Sequence, residues 1–165
     1  MKSNHDRKGT LGISDNGAFR LQFRRQLPYS VTEVWDWVVQ PEKLQRWLPG
    51  CHIEPVVGGK VLFDFGDEGH ATGSVTDISA PGHTGRLVHS WQWLGLPDSI
   101  VRWTLSPQGG ATELLLVHSE VVAEPAVDFA IGWHVMLDAL DLVLADTAPD
   151  AAWQHLEAIA ALYTE

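Results

Sequence analysis

The spacing of hydrophobic and polar positions predicts a strand and two short helices in the first third of the chain. Residues 19–24 alternate between apolar and polar side chains, which is typical of a strand with one buried face. Ser30 and Glu33 have the spacing of a capping box, and residues 31–39 follow with a helical pattern. A second short helix is predicted over residues 41–48, since its proline stands at a favoured first position.

The period of the hydrophobic positions then changes to two residues, which is typical of strands, and later returns to that of a helix. From residue 51 to residue 119, short alternating segments are separated by glycine-containing turns, which predicts an antiparallel meander. Residues 128–146 carry the longest helical pattern, and this helix is apolar around most of its circumference. A helix of that kind must be covered by an extensive surface, and the sheet is the large surface available. A terminal helix is predicted over residues 150–163.

This order of elements predicts an α+β protein with a helix-grip fold. A curved antiparallel sheet of about six or seven strands surrounds the long C-terminal helix, and two short helices after the first strand close one end. We predict a single domain over residues 18–165, preceded by a flexible tail over residues 1–17, which is polar and contains glycine. Because a helix lying across a curved sheet leaves a gap, the same order predicts an internal cavity.

Charge and composition restrict the partners. The chain has 165 residues, with 11 basic and 21 acidic side chains and a formal net charge of −10. A field of this sign repels phosphate groups, so we expect no nucleic-acid partner. No apolar run approaches the ~20 residues of a membrane helix, and the N-terminus lacks the apolar core of a signal peptide. We therefore expect a cytoplasmic protein without membrane insertion.

Residues with reactive or metal-binding side chains are few. Cys51 is the single cysteine, so no intrachain disulfide can form, and we interpret it as a small apolar filler. The eight histidines have no zinc-site spacing. The Gly58-Gly59 and Gly109-Gly110 pairs lack the neighbouring residues of a phosphate-binding loop and are interpreted as turns. We predict no metal site and no cofactor.

Aromatic residues offer a candidate binding surface, since the chain has eight tryptophans. Alternation places His89, Trp91 and Trp93 on one face of a strand, and Trp103 and His118 fall on the corresponding faces of the next two strands. These faces would form either an aromatic ligand pocket or a filled core. The predicted ligand-binding residues are Phe63, Phe65, His89, Trp91, Trp93, Trp103, Leu116, His118, Trp133, Met136, Leu137 and Leu140.

Two of these residues, His89 and His118, are also the catalytic candidates. Imidazole titrates near neutral pH, so a pair facing a pocket could hydrogen-bond a ligand carbonyl or act as general acid and base. The alternative is that each is a structural histidine. On the long helix, His134 and Asp138 stand at i, i+4 spacing and Asp141 follows, and we interpret this stripe as a solvated ion pair rather than a catalytic dyad.

Short stretches along the chain match a known family in order and spacing. They are Val34-Trp35, Trp47-Leu48, Val57-Gly58-Gly59, Gly73, Asp77, Pro81, Arg86-Leu87-Val88, Trp91, Gly109-Gly110-Ala111-Thr112-Glu113-Leu114, His118-Ser119, Gly132-Trp133 and the Trp153-to-Tyr163 tail. Together they resemble the START-like, birch-pollen-allergen-like (SRPBCC) superfamily. The branch is that of AHSA-like proteins, named after the C-terminal domain of the activator of the ninety-kilodalton heat-shock protein ATPase. The similarity covers about residues 19–163 and departs from the family at His89, where an aromatic residue is usual.

The resemblance implies the helix-grip fold and a cavity, whereas members of the superfamily differ in activity. Our first hypothesis is binding of a small hydrophobic molecule, such as a lipid or an aromatic polyketide. The alternatives are a cyclase- or hydrolase-like enzyme using His89 or His118, and a chaperone regulator in the stress response. No second carboxylate or nucleophile accompanies the histidines, which favours a non-catalytic protein. The apolar face of the last helix either covers its own domain or pairs with a second copy in a homodimer.

Overall fold

A computed structural model describes residues 7–163, within which eight strands and four α-helices form. The strands are β1 (Thr10–Ile13), β2 (Phe19–Leu27), β3 (His52–Ile53), β4 (Lys60–Asp64), β5 (His70–Ser79), β6 (Gly85–Trp93), β7 (Ser99–Gln108) and β8 (Ala111–Val121). The helices are α1 (Val31–Val39), α2 (Pro41–Trp47), α3 (Ala123–Leu144) and α4 (Leu156–Ala161). Short 3-10 helices cover Gly66–Glu68 and Pro149–His155, and the second leads directly into α4. Residues 149–163 are called the terminal segment below.

All eight strands belong to one antiparallel sheet in the order β1-β2-β8-β7-β6-β5-β4-β3. Strands β4 to β8 form the predicted meander, and β2 closes it by pairing with the last strand. The register shifts between Val75 and Asp77 in β5, and again between Phe19 and Leu21 in β2. Such bulges bend a strand and increase its twist, which curves the sheet. The predicted α+β helix-grip architecture is confirmed.

The long helix α3 lies within the curve of this sheet. Every residue from 133 to 140 is buried, including two polar ones, so the helix is enclosed over its whole circumference there. Indole contacts join it to the strands, for example Trp133 to Trp91 on β6 and to Trp103 on β7, with ring centroids 5.4 and 5.5 Å apart. None of the helices described is long and apolar enough to cross a membrane.

Both ends of the chain differ from the sequence prediction. Residues 10–13, which were expected in a flexible tail, form edge strand β1 and pair with β2 from Thr10 opposite Gln22 to Ile13 opposite Phe19. The remainder of that predicted tail lies partly outside the described residues, at positions 1–6. The terminal helix predicted over 150–163 is a 3-10 helix followed by the six-residue α4. The two short strands β1 and β3 also raise the strand number above the predicted six or seven.

Candidate functional site

A pocket of about 970 Å³ opens beside the N-terminal half of α3. It lies between the end of α2, the β4–β5 and β6–β7 turns, α3 and the terminal segment. At its rim the side chains of Trp153 and Leu156 are 39% and 41% exposed, so the pocket communicates with solvent. Its size is that of a small-molecule site, and most of its walls are apolar, which is typical of such sites.

Flat aromatic surfaces form the wall on the sheet side. Trp91 and Trp93 are stacked with ring centroids 6.4 Å apart and an interplanar angle of 11°. Phe129 from α3 meets both rings edge-on, at 5.8 and 5.5 Å, and Phe65 lies 6.1 Å from the ring of Trp93. The alternation of β6 places both tryptophans on the inner face, as predicted. The wall therefore offers stacking surfaces for a planar molecule.

The predicted ligand-binding residues divide into two groups. Those that line the pocket are Phe65, Trp91, Trp93, Trp133 and Met136. Those that lie in the interior without lining it, each at most 1% exposed, are Phe63, His89, Trp103, Leu116, His118, Leu137 and Leu140. The inner faces of the strands thus form a filled core over part of their length and a pocket wall over the rest.

The sequence prediction missed the other pocket residues, most of which come from helices and turns. These are Trp47, Leu48, Pro49, Cys51, Asp64, Glu68, Leu96, Pro125, Asp128, Phe129, Ile131, Gly132, Trp153, Leu156 and Ala160. One signal was available in the sequence, because Phe129 and Pro125 precede Trp133 at successive four-residue steps on one helical face. The contribution of the terminal segment had no local signal, since it depends on where that segment packs.

His89 has both ring nitrogens occupied within the core. The indole N–H of Trp103 donates to His89 Nε2 at 3.1 Å, so this nitrogen carries no proton. The proton is then on Nδ1, which donates to the carbonyl oxygen of Ser90 at 3.0 Å. Burial lowers the pKa of His89 to about 4, which keeps the ring neutral. The residue that departs from the family pattern therefore serves as the acceptor for a buried tryptophan.

His118 repeats this arrangement on the neighbouring strand. The indole N–H of Trp133 donates to His118 Nδ1 at 3.0 Å, so His118 Nε2 carries the proton and donates to Ser99 Oγ at 2.7 Å. Burial, with a smaller contribution from His89, lowers the pKa of His118 to about 3. Neither histidine has a free nitrogen or lines the pocket. Their contacts are those of structural histidines that fix the orientation of two indole rings.

The stripe of His134 and Asp138 on α3 is buried, and the predicted solvated ion pair is wrong. His134 is 0% exposed and Asp138 is 5% exposed. Arg25 Nη1 donates to Asp138 Oδ1 at 2.7 Å, and Tyr163 Oη lies 2.8 Å from His134 Nδ1. Burial is the largest cause that lowers the pKa of His134, to about 4, and the charge of Arg25 adds to it. The chain ends cover the stripe, since Arg7 also pairs with Asp138, at 3.5 Å.

The remaining titratable groups of the pocket are carboxyls and one thiol. Cys51 is 1% exposed, and burial raises the pKa of its thiol to about 11, so the sulfur is protonated near neutral pH and is a poor nucleophile. Across residues 7–163, no group of three or more His, Cys, Asp or Glu side chains is placed to hold a metal ion. The chemistry that the lining offers is therefore apolar contact, aromatic stacking and negative charge.

Comparison with known proteins identifies relatives of this arrangement. The family model described as Activator of Hsp90 ATPase homolog 1-like protein matches residues 28–145. The crystal structure of CalU16 from Micromonospora echinospora superposes with a TM-score of 0.72 and 28% identity, covering 96% of this chain and 98% of CalU16. A conserved protein of unknown function from Enterococcus faecalis, EF2215, has a TM-score of 0.71 and 22% identity, covering 94% and 88%.

A third solved structure is similar over a shorter stretch. DynU16, a putative protein in the dynemicin biosynthetic locus, has a TM-score of 0.65 and 23% identity, covering 79% of this chain and 49% of its own. EF2215 and DynU16 are below 25% identity, so they share the fold with this chain and nothing finer is drawn from them. No curated protein sequence matches the chain significantly. The family match ends at residue 145, so the terminal segment that lines the pocket lies outside it.

Proposed function

Because this chain belongs to the family of Activator of Hsp90 ATPase homolog 1-like proteins and has a START-like helix-grip fold, we propose that it binds a small hydrophobic molecule in the pocket beside α3. The observation that carries the proposal is the pocket itself, about 970 Å³ of space walled by indole and phenyl rings. A ligand that buried ~200 Å² of apolar surface there would gain roughly 5 kcal/mol before the costs of association.

One ring of the pocket wall is held in place by buried hydrogen bonds within the protein. Trp133 lines the pocket, and its indole is fixed by the hydrogen bond to His118, whose other nitrogen is bonded to Ser99. A wall that is ordered in advance loses little conformational entropy on binding, so more of the contact energy is retained as affinity. His118 therefore supports ligand binding indirectly, by orienting the ring that the ligand would touch.

Trp91 supplies an unused hydrogen-bond donor at the same wall. Its ring is 2% exposed, and its buried indole N–H has no acceptor among the described residues. A buried donor without a partner costs about 1–3 kcal/mol. This N–H is inaccessible to solvent, so the apolar face of the Trp91 ring is the part of the side chain that the wall offers to a ligand.

The other two hypotheses have less support. The catalytic alternative needs a histidine in contact with the ligand, whereas the nitrogens of both candidates are engaged within the core. The chaperone-regulator alternative is supported by the description of the family alone. Ligand binding remains the function that the geometry favours.

Gly132 offers a direct test, because it lines the pocket and a Cβ added there would meet no atom within 4 Å. We expect Gly132→Leu to weaken binding of the neutral probe N-phenyl-1-naphthylamine at least tenfold by filling the space. The variant should also be slightly more stable, by about 0.5–1 kcal/mol, because leucine is the better helix former. Probe fluorescence and urea unfolding give the two measurements.

A matched control exists at Gly82, where an added Cβ is equally free of contacts and which does not line the pocket. Gly82→Leu should leave probe affinity unchanged. Equal affinity in the wild type and both variants would show that the probe binds elsewhere. The absence of saturable binding by any member of a panel of apolar probes would contradict the proposed function.

A further inference from the structure

The ionisable side chains among the described residues that line the pocket are all acids. They are the exposed carboxylates of Asp64, Glu68 and Asp128, together with the protonated thiol of Cys51. No Lys, Arg or His occurs among the described residues that line the pocket. A pocket for an anionic ligand, such as a fatty acid, would be expected to place at least one cation near the ligand's carboxylate.

The three carboxylates come from separate elements and remain uncompensated. Asp64 ends β4, Glu68 lies in the 3-10 helix after it, and Asp128 lies in the second turn of α3. Among the described residues, none of them is within 4.0 Å of a basic group. Asp64 accepts one hydrogen bond, from the backbone N–H of Gly66 at 2.9 Å, which orients its carboxylate without neutralising it.

The aromatic walls of the pocket also favour a positively charged ligand, independently of the carboxylates. The faces of indole and phenyl rings attract cations through their quadrupoles, and this attraction grows as the cation is desolvated. Trp93 and Phe65 are half-buried rings on the same pocket, so their surfaces are within reach of a bound molecule. The N-terminus of α3 carries a partial positive charge, which would disfavour a cation. Glu124 in the first turn of α3 and Asp128 in the second offset this charge.

We propose that the ligand is a cationic amphiphile, with a protonated amine or quaternary ammonium group attached to a flat apolar body. This inference rests on the proposed function, and it adds the charge of the ligand. The apolar body lies along Trp91, Trp93 and Phe129, and the cation lies toward the rim, among the carboxylates. Anions of the same size are repelled by the same groups.

The expected preference is moderate, because the carboxylates are exposed and screened by water. Three partly solvated charge interactions of ordinary strength give about a tenfold tighter affinity for a cation than for a neutral molecule of the same shape. Salt should reduce this preference, since the Debye length falls from ~30 Å at 0.01 M to ~3 Å at 1 M ionic strength. Stacking on the aromatic wall should be much less sensitive to salt.

The test uses three probes that share one apolar body: 1-naphthylmethylammonium, 1-naphthylmethanol and 1-naphthoate. Calorimetric titration of the full chain near neutral pH should rank them cation, neutral, anion, in order of decreasing affinity. In the triple variant Asp64→Asn/Glu68→Gln/Asp128→Asn, the ratio of cation affinity to neutral-probe affinity should fall about tenfold. The asparagine at position 64 retains the oxygen that accepts from Gly66.

A control variant with the same change in net charge tests whether the preference for the cation comes from the carboxylates of the pocket or from the overall charge of the protein. Asp15, Glu33 and Asp146 are exposed and do not line the pocket. The variant Asp15→Asn/Glu33→Gln/Asp146→Asn should keep most of the preference for the cation. A loss of the preference equal to that of the rim variant would assign it to net charge and overturn the inference.

The outcomes distinguish failure of this inference from failure of the proposed function. The three probes could bind with equal affinity, or the anion could bind most tightly, while Gly132→Leu still blocks binding. Either result would overturn the inference that the ligand is a cation, and the proposed binding in the pocket would stand. Binding by no probe at all, including N-phenyl-1-naphthylamine, would overturn both.

Discussion

The two halves of α3 face interiors that are built differently. The C-terminal part, from Leu137 onward, does not line the pocket, and its Leu137, Ala139 and Leu140 are each at most 1% exposed. The N-terminal half borders the pocket, and Gly132 leaves space there that a larger residue would occupy. Both halves are apolar, so hydrophobicity does not distinguish them. The difference lies in the volume of the side chains that meet beneath the helix.

Hydrogen bonding differs among the buried tryptophans. The indole N–H of Trp103, in the filled core, is bonded to His89, and that of Trp133, at the pocket wall, is bonded to His118. Also at the pocket wall, the buried N–H of Trp91 has no acceptor among the described residues. The other buried side-chain atoms without a partner in this part of the chain, Arg25 Nε and His134 Nε2, belong to residues that do not line the pocket.

The largest expected effect comes from removing the same side chain in each half. Trp103→Ala removes a fully buried indole and leaves His89 Nε2 without its donor, so we expect a loss of about 3–5 kcal/mol in the free energy of unfolding. Trp93→Ala removes a half-buried ring and should cost less than half as much, while weakening probe binding. Urea unfolding measures both, and equal destabilisation would contradict the division.

Lowering the pH should destabilise the fold, because three histidines are buried in its interior. Burial holds the pKa of His89, His118 and His134 at about 3 to 4, whereas an unfolded histidine titrates near 6.5. Their stabilising contribution is fully present above pH ~6.5. It is lost as the pH falls toward the folded pKa values, because the unfolded state takes up protons first.

Each of these histidines should contribute a slope of up to about 1.4 kcal/mol per pH unit in the free energy of unfolding, below pH ~6.5. Urea unfolding between pH 7 and 5 gives the slope. His89→Gln, which keeps an acceptor for Trp103, should reduce the slope by about one histidine's share. The exposed His83→Gln serves as the control and should leave it unchanged. A slope unaffected by His89→Gln would refute the assignment.

The smallest effect isolates the hydrogen bond alone. Trp133→Phe and Trp91→Phe remove the same atoms from two buried rings, but only the first breaks a bond, to His118. We expect Trp133→Phe to be the more destabilising by about 1–2 kcal/mol, because it leaves His118 Nδ1 unsatisfied. Differential unfolding of the two variants measures this, and equal costs would mean that Trp91 has a partner after all.

Much of the fold could be predicted from the sequence because burial leaves a periodic signal in each element. The alternation in β6 and the apolar circumference of α3 identified the sheet and the gripped helix, and both are confirmed. The short strand β1 was missed, since four residues carry too little alternation and their pairing partner, β2, supplies their stability. Two of the predicted site residues, Trp91 and Trp93, line the pocket for the same reason that the strands were found: alternation places them inward.

Other parts of the site depended on contacts between distant segments. His134 and Asp138 look like a solvated stripe on their own helix, and they are buried because Arg7 and Tyr163, at opposite ends of the chain, pack over them. Likewise, Trp153 borders the pocket only because the terminal segment packs beside α3. No periodicity within one element records such a contact.

Within the strands, periodicity in the sequence was enough to predict which side chains face inward, because a period of two gives each strand one buried face. Where the interior is filled and where it is open followed from tertiary packing. A cavity is the difference between the space that a curved sheet encloses and the summed volume of side chains that several elements contribute. Trp91 and Trp103 alternate on adjacent strands in the same way, and packing made one a wall of the pocket and the other part of the core.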